Sequence, residues 1–274
     1  MAYPLKFPVD AVVPILTVTN PKPSLWIVEL HNGEDSRLTT VMIDHAIKPA
    51  LDAVERHWRE QWRSAQNVKG KEGAKGALVI VGKRSQDKFF SNGFDFPSVT
   101  TNSNFFPHTN NPFLARLLTF PIPTVAAING HCFAAGMMLA LACDYRVMTD
   151  GSKRNAWITM NEIHFGAPWP LSFAALLRAK VSDPTLHRKI ALEGHRFTPR
   201  EALEAGFVDH IVQGDTAVVL AKAEEIAESA SSLAREGVWG IIKSDLYRKT
   251  LELIARDPRS VNAFVDDAAA KSRL

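Results

Sequence analysis

Cysteine is nearly missing from this chain: Cys132 and Cys143 are the only two in 274 residues. A disulfide scaffold is therefore excluded, and so is a zinc site built on paired cysteines. No sign of charge dominates. Lys and Arg number 32 against 29 Asp and Glu, a formal net charge of +3, which leaves no basic footprint for nucleic acid. No apolar run is long enough to span a membrane. The longest, Cys132 to Cys143, is too short to cross a bilayer and reads as a buried helix. Residues 1–10 lack both a basic stretch and an apolar stretch, so no leader is expected. No N-x-[ST] sequon points to secretion. With 46% hydrophobic and 22% charged residues, the composition is that of a globular protein, too apolar for disorder.

Several motifs of common chemistry are also lacking. Gly70, Gly73 and Gly76 are evenly spaced, but they precede a strand amid lysines, the wrong context for a dinucleotide fold. Gly82-Lys83 lacks the glycine five residues earlier that a phosphate-binding loop requires. There is no G-x-S-x-G elbow and no H-x-x-x-H pair. Cys132 reads as a small apolar residue at the start of a buried turn rather than as a nucleophile.

What is present is an alternation of strands and helices, which predicts an α/β architecture with a mainly parallel sheet. Val12 to Thr19 and Leu25 to Leu30 flank Asn20-Pro21-Lys22-Pro23 and read as a hairpin. Apolar residues from Val41 to Trp58 recur at helical spacing, predicting a helix from Thr39 to about Gln66. Ala77 to Val81 and Thr124 to Ile128 are short, wholly apolar runs, as expected of strands buried on both faces. Ser91 to Pro112, rich in Asn, Ser, Thr, Phe and Pro, is expected to be an irregular loop near a site. After Pro168 the pattern becomes helical: 171–180, 183–192, 199–205, 216–233, 238–256 and 260–271, interrupted by a strand at 207–212. The expected division is a core over 1–205 and a helical C-terminal region over 206–274.

Three segments carry candidate chemistry. Ser91-Asn92-Gly93-Phe94-Asp95 follows a strand region and exposes backbone N–H groups at a glycine turn. Ile128-Asn129-Gly130 ends a strand, and Ala134-Ala135-Gly136 then opens a helix, where small residues let a ligand reach unpaired N–H groups. Facing each other, two such turns would grip one oxygen from two sides, as in an oxyanion hole; otherwise they are ordinary turns. The third segment sets Glu162 among Ile158, Met160, Ile163 and Phe165. A carboxylate there is either a base with a raised pKa or a helix-end residue on a solvated edge.

Taken in order, F-S-N-G-F-D, P-T-V-A-A-I-N-G-H-C-x-A-A-G-M, N-E-I-x-F-G and F-T-P-R-E-A-L-E-A-G-F-V-D-H-I-V resemble the enoyl-CoA hydratase/isomerase (crotonase) superfamily from about Ile27 to Val212. Within it the segments are most similar to the Δ3,Δ2-enoyl-CoA isomerases of peroxisomes. The resemblance implies a crotonase-like superhelix of ββα units with a C-terminal helical region, forming homotrimers or hexamers. It implies an acyl-CoA substrate and no metal or redox cofactor. It places the backbone N–H groups of Phe94 and Ala135 on the thioester oxygen and makes Glu162 the catalytic base. Arg37, Leu38, Ser91, Asn92, Gly93, Asp95 and Met138 are the residues it sets around the substrate.

Many hydratases carry two catalytic glutamates, and Met138 stands at the position of the first. Hydration needs a water delivered and a proton returned, which suits two carboxylates. Moving a double bond needs neither water nor a second acid. The implied activity is therefore conversion of 3-enoyl-CoA to trans-2-enoyl-CoA in fatty-acid β-oxidation. The alternatives are a hydratase, another acyl-CoA-processing crotonase, or a silent scaffold. The family's N-A-L motif stands here as Ser36-Arg37-Leu38, and Pro97 replaces a basic residue. Arg37 is thus either a phosphate or adenine contact or a surface arginine. Phe105, Phe106 and Pro107 either line an acyl tunnel or pack their loop. If residues 162–164 are extended, His164 shares a face with Glu162. The chain ends Ser272-Arg273-Leu274, a close variant of the Ser-Lys-Leu peroxisomal address. That ending predicts an import receptor as partner and the peroxisome as destination.

Overall fold

The computed structural model describes residues 2–256 and 263–273. Its strands are β1 (Leu5–Phe7), β2 (Leu16–Lys22), β3 (Leu25–Leu30), β4 (Ala77–Val81), β5 (Phe89–Ser91), β6 (Thr124–Ile128), β7 (His131–Phe133), β8 (Tyr145–Thr149), β9 (Ile158–Thr159) and β10 (His210–Val212). The helices are α1 (Lys48–Ala65), α2 (Phe96–Thr101), α3 (Asn111–Leu118), α4 (Ala135–Ala142), α5 (Leu171–Lys180), α6 (Pro184–Ala191), α7 (Pro199–Glu204), α8 (Thr216–Ser231), α9 (Trp239–Leu246), α10 (Arg248–Ala255) and α11 (Ala263–Arg273).

The strands form a seven-stranded sheet in the order β1-β2-β3-β4-β6-β8-β10 and a three-stranded sheet in the order β5-β7-β9. The β1–β2–β3 pairs are antiparallel, so the expected hairpin is present; from β3 onward the large sheet is parallel. Side chains alternate across it with the period of two that a strand imposes. Ile27, Val79, Val81, Val125, Ala127 and Val147 face one way, against Val219, Leu220, Ala223 and Ala227 of α8. Trp26, Val28, Leu78, Ile80, Ala126 and Ile128 face the larger core, shared with α1, α3 and α4. Burial on both faces explains why these strands are continuously apolar.

Each of β4, β6 and β8 runs in the large sheet and is followed by a short parallel strand in the small sheet, β5, β7 or β9. A helical segment then leads back. This is the expected ββα repeat. The turns between the paired strands stack: Gly82 N–H donates to Asn129 Oδ1 at 3.1 Å, and the same asparagine side chain reaches the Thr216 hydroxyl at 3.1 Å.

Some expectations are revised. The stretch 91–112 is largely helical, forming α2, a wide turn at Phe105–Asn110 and the start of α3. Pro97 and Pro112 fall in first turns of helices, where a proline's missing N–H costs nothing. The run 132–143 is not one helix. It divides at Ala134 into β7 and α4. The helix expected over 238–256 breaks at Tyr247, whose ring lies 4.8 Å from the Lys180 ammonium. Residues 206–231 do not stand apart from the sheet: β10 pairs with β8, and α8 covers β4, β6 and β8.

The later helices are pinned to the core through one buried ion pair. Lys243 of α9 approaches Asp144 Oδ1 at 2.8 Å, both side chains at most a tenth exposed. Asp144 Oδ2 also accepts from the Thr124 N–H and hydroxyl, each at 2.9 Å, and from the Trp239 indole at 3.3 Å. Breaking such a pair from one side strands a buried charge. Lys243→Met is therefore expected to lower stability by about 3 kcal/mol, and Asp144→Asn in the same chain to recover part of that loss, read from chemical denaturation midpoints.

Candidate active site

The small sheet sets the site. Its strands run parallel, so β5, β7 and β9 all end at one edge, and the residues just beyond them converge. After β5 come Asn92, Gly93 and Phe94; after β7, Ala134 and Ala135; after β9, Met160, Asn161 and Glu162. The carboxyl edge of a parallel sheet is a common location for ligand sites. Here it opens into a cavity of about 990 Å³ lined by Asn92, Phe94, Ala134, Asn161, Glu162, Trp169 and others.

The first two turns are pressed together. Gly93 has φ +76°, and a Cβ built on it would lie 2.8 Å from the Ala134 Cβ and 3.1 Å from the Ala135 nitrogen. Only glycine permits both that backbone and that approach. A Cβ on Gly136 would lie 2.7 Å from the Ser91 carbonyl oxygen. Ala134 is held at φ 52°, ψ −125°, a conformation disfavoured for a residue with a Cβ. Its N–H donates to Thr159 O at 2.8 Å, and its carbonyl accepts from Met137 at 2.9 Å. So the strained residue both joins the sheet and opens α4. Among the described residues, neither the Phe94 N–H nor the Ala135 N–H has an acceptor. The Ala135 N–H also sits at the positive end of the α4 dipole.

The Phe94 turn is held from behind. Asp35 O accepts from Asn92 N at 2.9 Å, Gly93 O accepts from Leu38 N at 2.8 Å, and Phe94 O accepts from Arg37 Nη1 at 2.8 Å. Arg37 Nε also donates to Asp35 at 2.9 Å. The Phe94 ring is enclosed by Phe105, Phe106 and Phe173, with centroids 4.9 to 5.9 Å away.

Glu162 is only 7% exposed. Burial pushes its carboxyl up to about 7, opposed weakly by its own backbone N–H and by the Trp169 indole. It is the sole acid among the described residues that line the cavity. Its segment is a tight 3-10 turn rather than an extended strand, so His164 is carried away: its Nε2 faces Gly194 O at 3.3 Å.

Of the residues expected around the substrate, Arg37 and Asn92 line the cavity. Ser91, Leu38, Gly93, Asp95 and Met138 do not. The Ser91 hydroxyl donates to Ser36 O at 2.8 Å, and Leu38 bridges to Phe94 in parallel. Asp95 precedes α2 and accepts from the Ser98 hydroxyl. Met138 is fully buried in the core. Phe106 and Pro107 line the cavity, whereas Phe105 packs behind Phe94. Cys132 is fully buried and its thiol is pushed well up by burial. Ser272 and Arg273 end α11, and Leu274 lies outside the described residues. Lining residues without forewarning in the sequence include Trp169, Phe173 and Arg256. Trp169 lies in the Ala167-Pro168-Trp169-Pro170 stretch just after Glu162, a signal that proximity would have flagged. Arg256 follows α10, too far along the chain for spacing to connect it.

An Arabidopsis thaliana protein named enoyl-CoA delta isomerase 2, peroxisomal, is 31% identical over 195 residues, covering 68% of this chain and 79% of the relative. A probable enoyl-CoA hydratase of Mycobacterium tuberculosis is 30% identical over 194 residues, 69% of this chain and 70% of the relative. The crystal structure of an enoyl-CoA hydratase from Mycobacterium marinum superposes with a TM-score of 0.71 at 25% identity, covering 94% of this chain and 99% of that one. The enoyl-CoA hydratase/isomerase family model matches residues 49–253, and with its ββα repeat and paired N–H turns the chain belongs to that family.

Proposed function

We propose that the protein moves the double bond of a 3-enoyl-CoA thioester to the trans-2 position, with Glu162 as the single base. The observation that carries this reading is that Glu162, the lone acid among the described lining residues, is buried at the same small-sheet edge as two N–H groups that lack acceptors. The Phe94 and Ala135 N–H groups hold the thioester oxygen. The ionised Glu162 takes a C2 proton, which is acidified by both the thioester and the neighbouring alkene. The electron pair moves into a dienolate whose oxygen becomes negative, and each hole donor contributes about 3 kcal/mol to that charge. The same carboxyl then returns the proton to C4, leaving the double bond between C2 and C3. Atoms balance without water. No metal or redox cofactor enters the scheme.

The hydratase reading draws on the Mycobacterium relative's name and requires a second acid, which the described lining residues do not supply. A silent scaffold would have no use for a carboxylate held against the cost of burial. We assign the peroxisome as destination on the terminal Ser272-Arg273-Leu274 and on the name of the Arabidopsis relative. Self-association into trimers or hexamers is supported by Val238, Ile241, Ile242 and Leu246, exposed at helical spacing on and just before α9.

Three outcomes are expected. Supplied separately, a 3-enoyl-CoA is isomerised and a 2-enoyl-CoA is scarcely hydrated; hydration of the second without migration in the first rejects the reading. Glu162→Gln, which keeps shape and removes the base, lowers kcat by roughly a thousandfold, and because the base must be ionised, wild-type kcat/KM falls as pH drops below about 7. A fluorescent fusion lacking Leu274 stays in the cytosol under microscopy, while the full-length fusion collects in peroxisomes.

A further inference from the structure

Glu162 and Trp169 carry matching unmet needs. Glu162 Oε2 is buried with no hydrogen-bond donor, and Trp169 Nε1 is buried with no acceptor. Both residues line the same cavity, and the indole is the side chain that acts on the carboxylate. The intervening chain doubles back: Glu162–Phe165 forms a 3-10 turn, Gly166 is left-handed, and the Ala167 N–H donates to Glu162 O at 3.1 Å. Pro168 and Pro170 flank Trp169 and stiffen its backbone. Its ring meets Phe173 edge-on at 6.1 Å. The indole is thus held in place, and a hydrogen bond between the two groups would relieve both buried atoms.

No charged side chain competes for this role. Arg37 is committed to Asp35 and the Phe94 carbonyl. His164 is turned to Gly194 O. Arg256 lines the cavity but forms no ion pair with Glu162 among the described residues. With Oε2 anchored, Oε1 is the oxygen left to exchange a proton with the substrate.

We propose that Trp169 is a positioning residue whose indole N–H donates to Oε2 of the ionised Glu162, leaving Oε1 to carry the proton between the two acyl carbons. This rests on Glu162 being the base. An anchored Oε2 gives the carboxyl a pivot, and Oε1 sweeps between C2 and C4 about it. When Oε1 takes the proton, Oε2 becomes a poorer acceptor and the anchoring bond weakens. The bond therefore favours the ionised resting base and helps return the proton to substrate.

The test compares the pH dependence of kcat/KM in the wild type and in Trp169→Phe, which keeps a ring and removes the donor. A charged carboxylate that loses a donor is harder to ionise, so the acidic limb moves up by about one pH unit. The loss of activity is then about tenfold deeper at pH 6 than at pH 9. An unmoved limb, or an equal loss at every pH, overturns the proposal in favour of a packing role. A second readout does not depend on how that variant folds. With ¹⁵N-labelled tryptophan, the Trp169 indole resonance of the wild type shifts with a midpoint near pH 7 and becomes insensitive to pH in Glu162→Gln. A flat wild-type resonance also overturns the proposal. Turnover that survives Glu162→Gln sinks the base itself; an inactive Glu162→Gln alongside an unmoved Trp169→Phe limb sinks the role of Trp169 alone.

Discussion

Three short strands running the same way hold this site together. A parallel ladder spaces neighbouring strands about 4.8 Å apart, so β5, β7 and β9 deliver their following residues to one edge at nearly fixed separation. Each strand end supplies one group: an N–H at Phe94, an N–H at Ala135 and a carboxylate at Glu162. None of the three strands exceeds three residues, and such a sheet has no stability of its own. It borrows rigidity from the large sheet through the stacked turns at Gly82 and Asn129, and from α4, which starts where β7 stops. The tight packing of Gly93 on Ala134 and of Gly136 on Ser91 follows from the same requirement. Two backbone donors can share one oxygen only if their chains approach more closely than side chains ordinarily allow.

That closeness carries a cost. Ala134 adopts a backbone conformation worth roughly 1–3 kcal/mol of strain, and Glu162 gives up solvation without gaining a strong partner. The surrounding core is large enough to absorb both, with two apolar clusters packed on opposite faces of the main sheet. The pattern fits a division of labour in which packing elsewhere sustains a locally unfavourable arrangement. A carboxylate made comfortable by a salt bridge would be a weaker base toward the substrate proton.

Much of this was legible in the residues. The hairpin, the long first helix and the buried strands β4 and β6 follow from apolar spacing alone, since their side chains face core on one or both sides. The small sheet was not legible. Phe89–Ser91 and Ile158–Thr159 are too short to display a period of two, and the ββα repeat is a repeat of path rather than of sequence. The stretch 91–112 was misread because Pro97 and Pro112 look like breakers, although each sits in a first helical turn. Glu162 could be singled out as a carboxylate among apolar neighbours, but its burial depends on contacts the chain makes only when folded. Arg37 shows the reverse case: the position was noticed, and the structure reveals that the guanidinium buttresses the Phe94 carbonyl while facing the cavity. The family resemblance also set Met138 around the substrate, whereas the helix turns it into the core.

Met138 nonetheless bears on the choice between isomerisation and hydration. A second acid at that position would sit one turn into α4, close behind the Ala135 N–H, in surroundings that are apolar throughout. Ionising it there would oppose the oxyanion that the same helix end is placed to stabilise. With methionine in its place the helix end keeps its positive character, and among the described residues the cavity has one acid and no partner acid to hold a water opposite it. A single carboxyl that both removes and returns a proton fits that inventory, because the only species requiring stabilisation is the enolate between the two transfers. In the proposed reaction the charge moves over a short path, from the Glu162 carboxylate to the thioester oxygen and back.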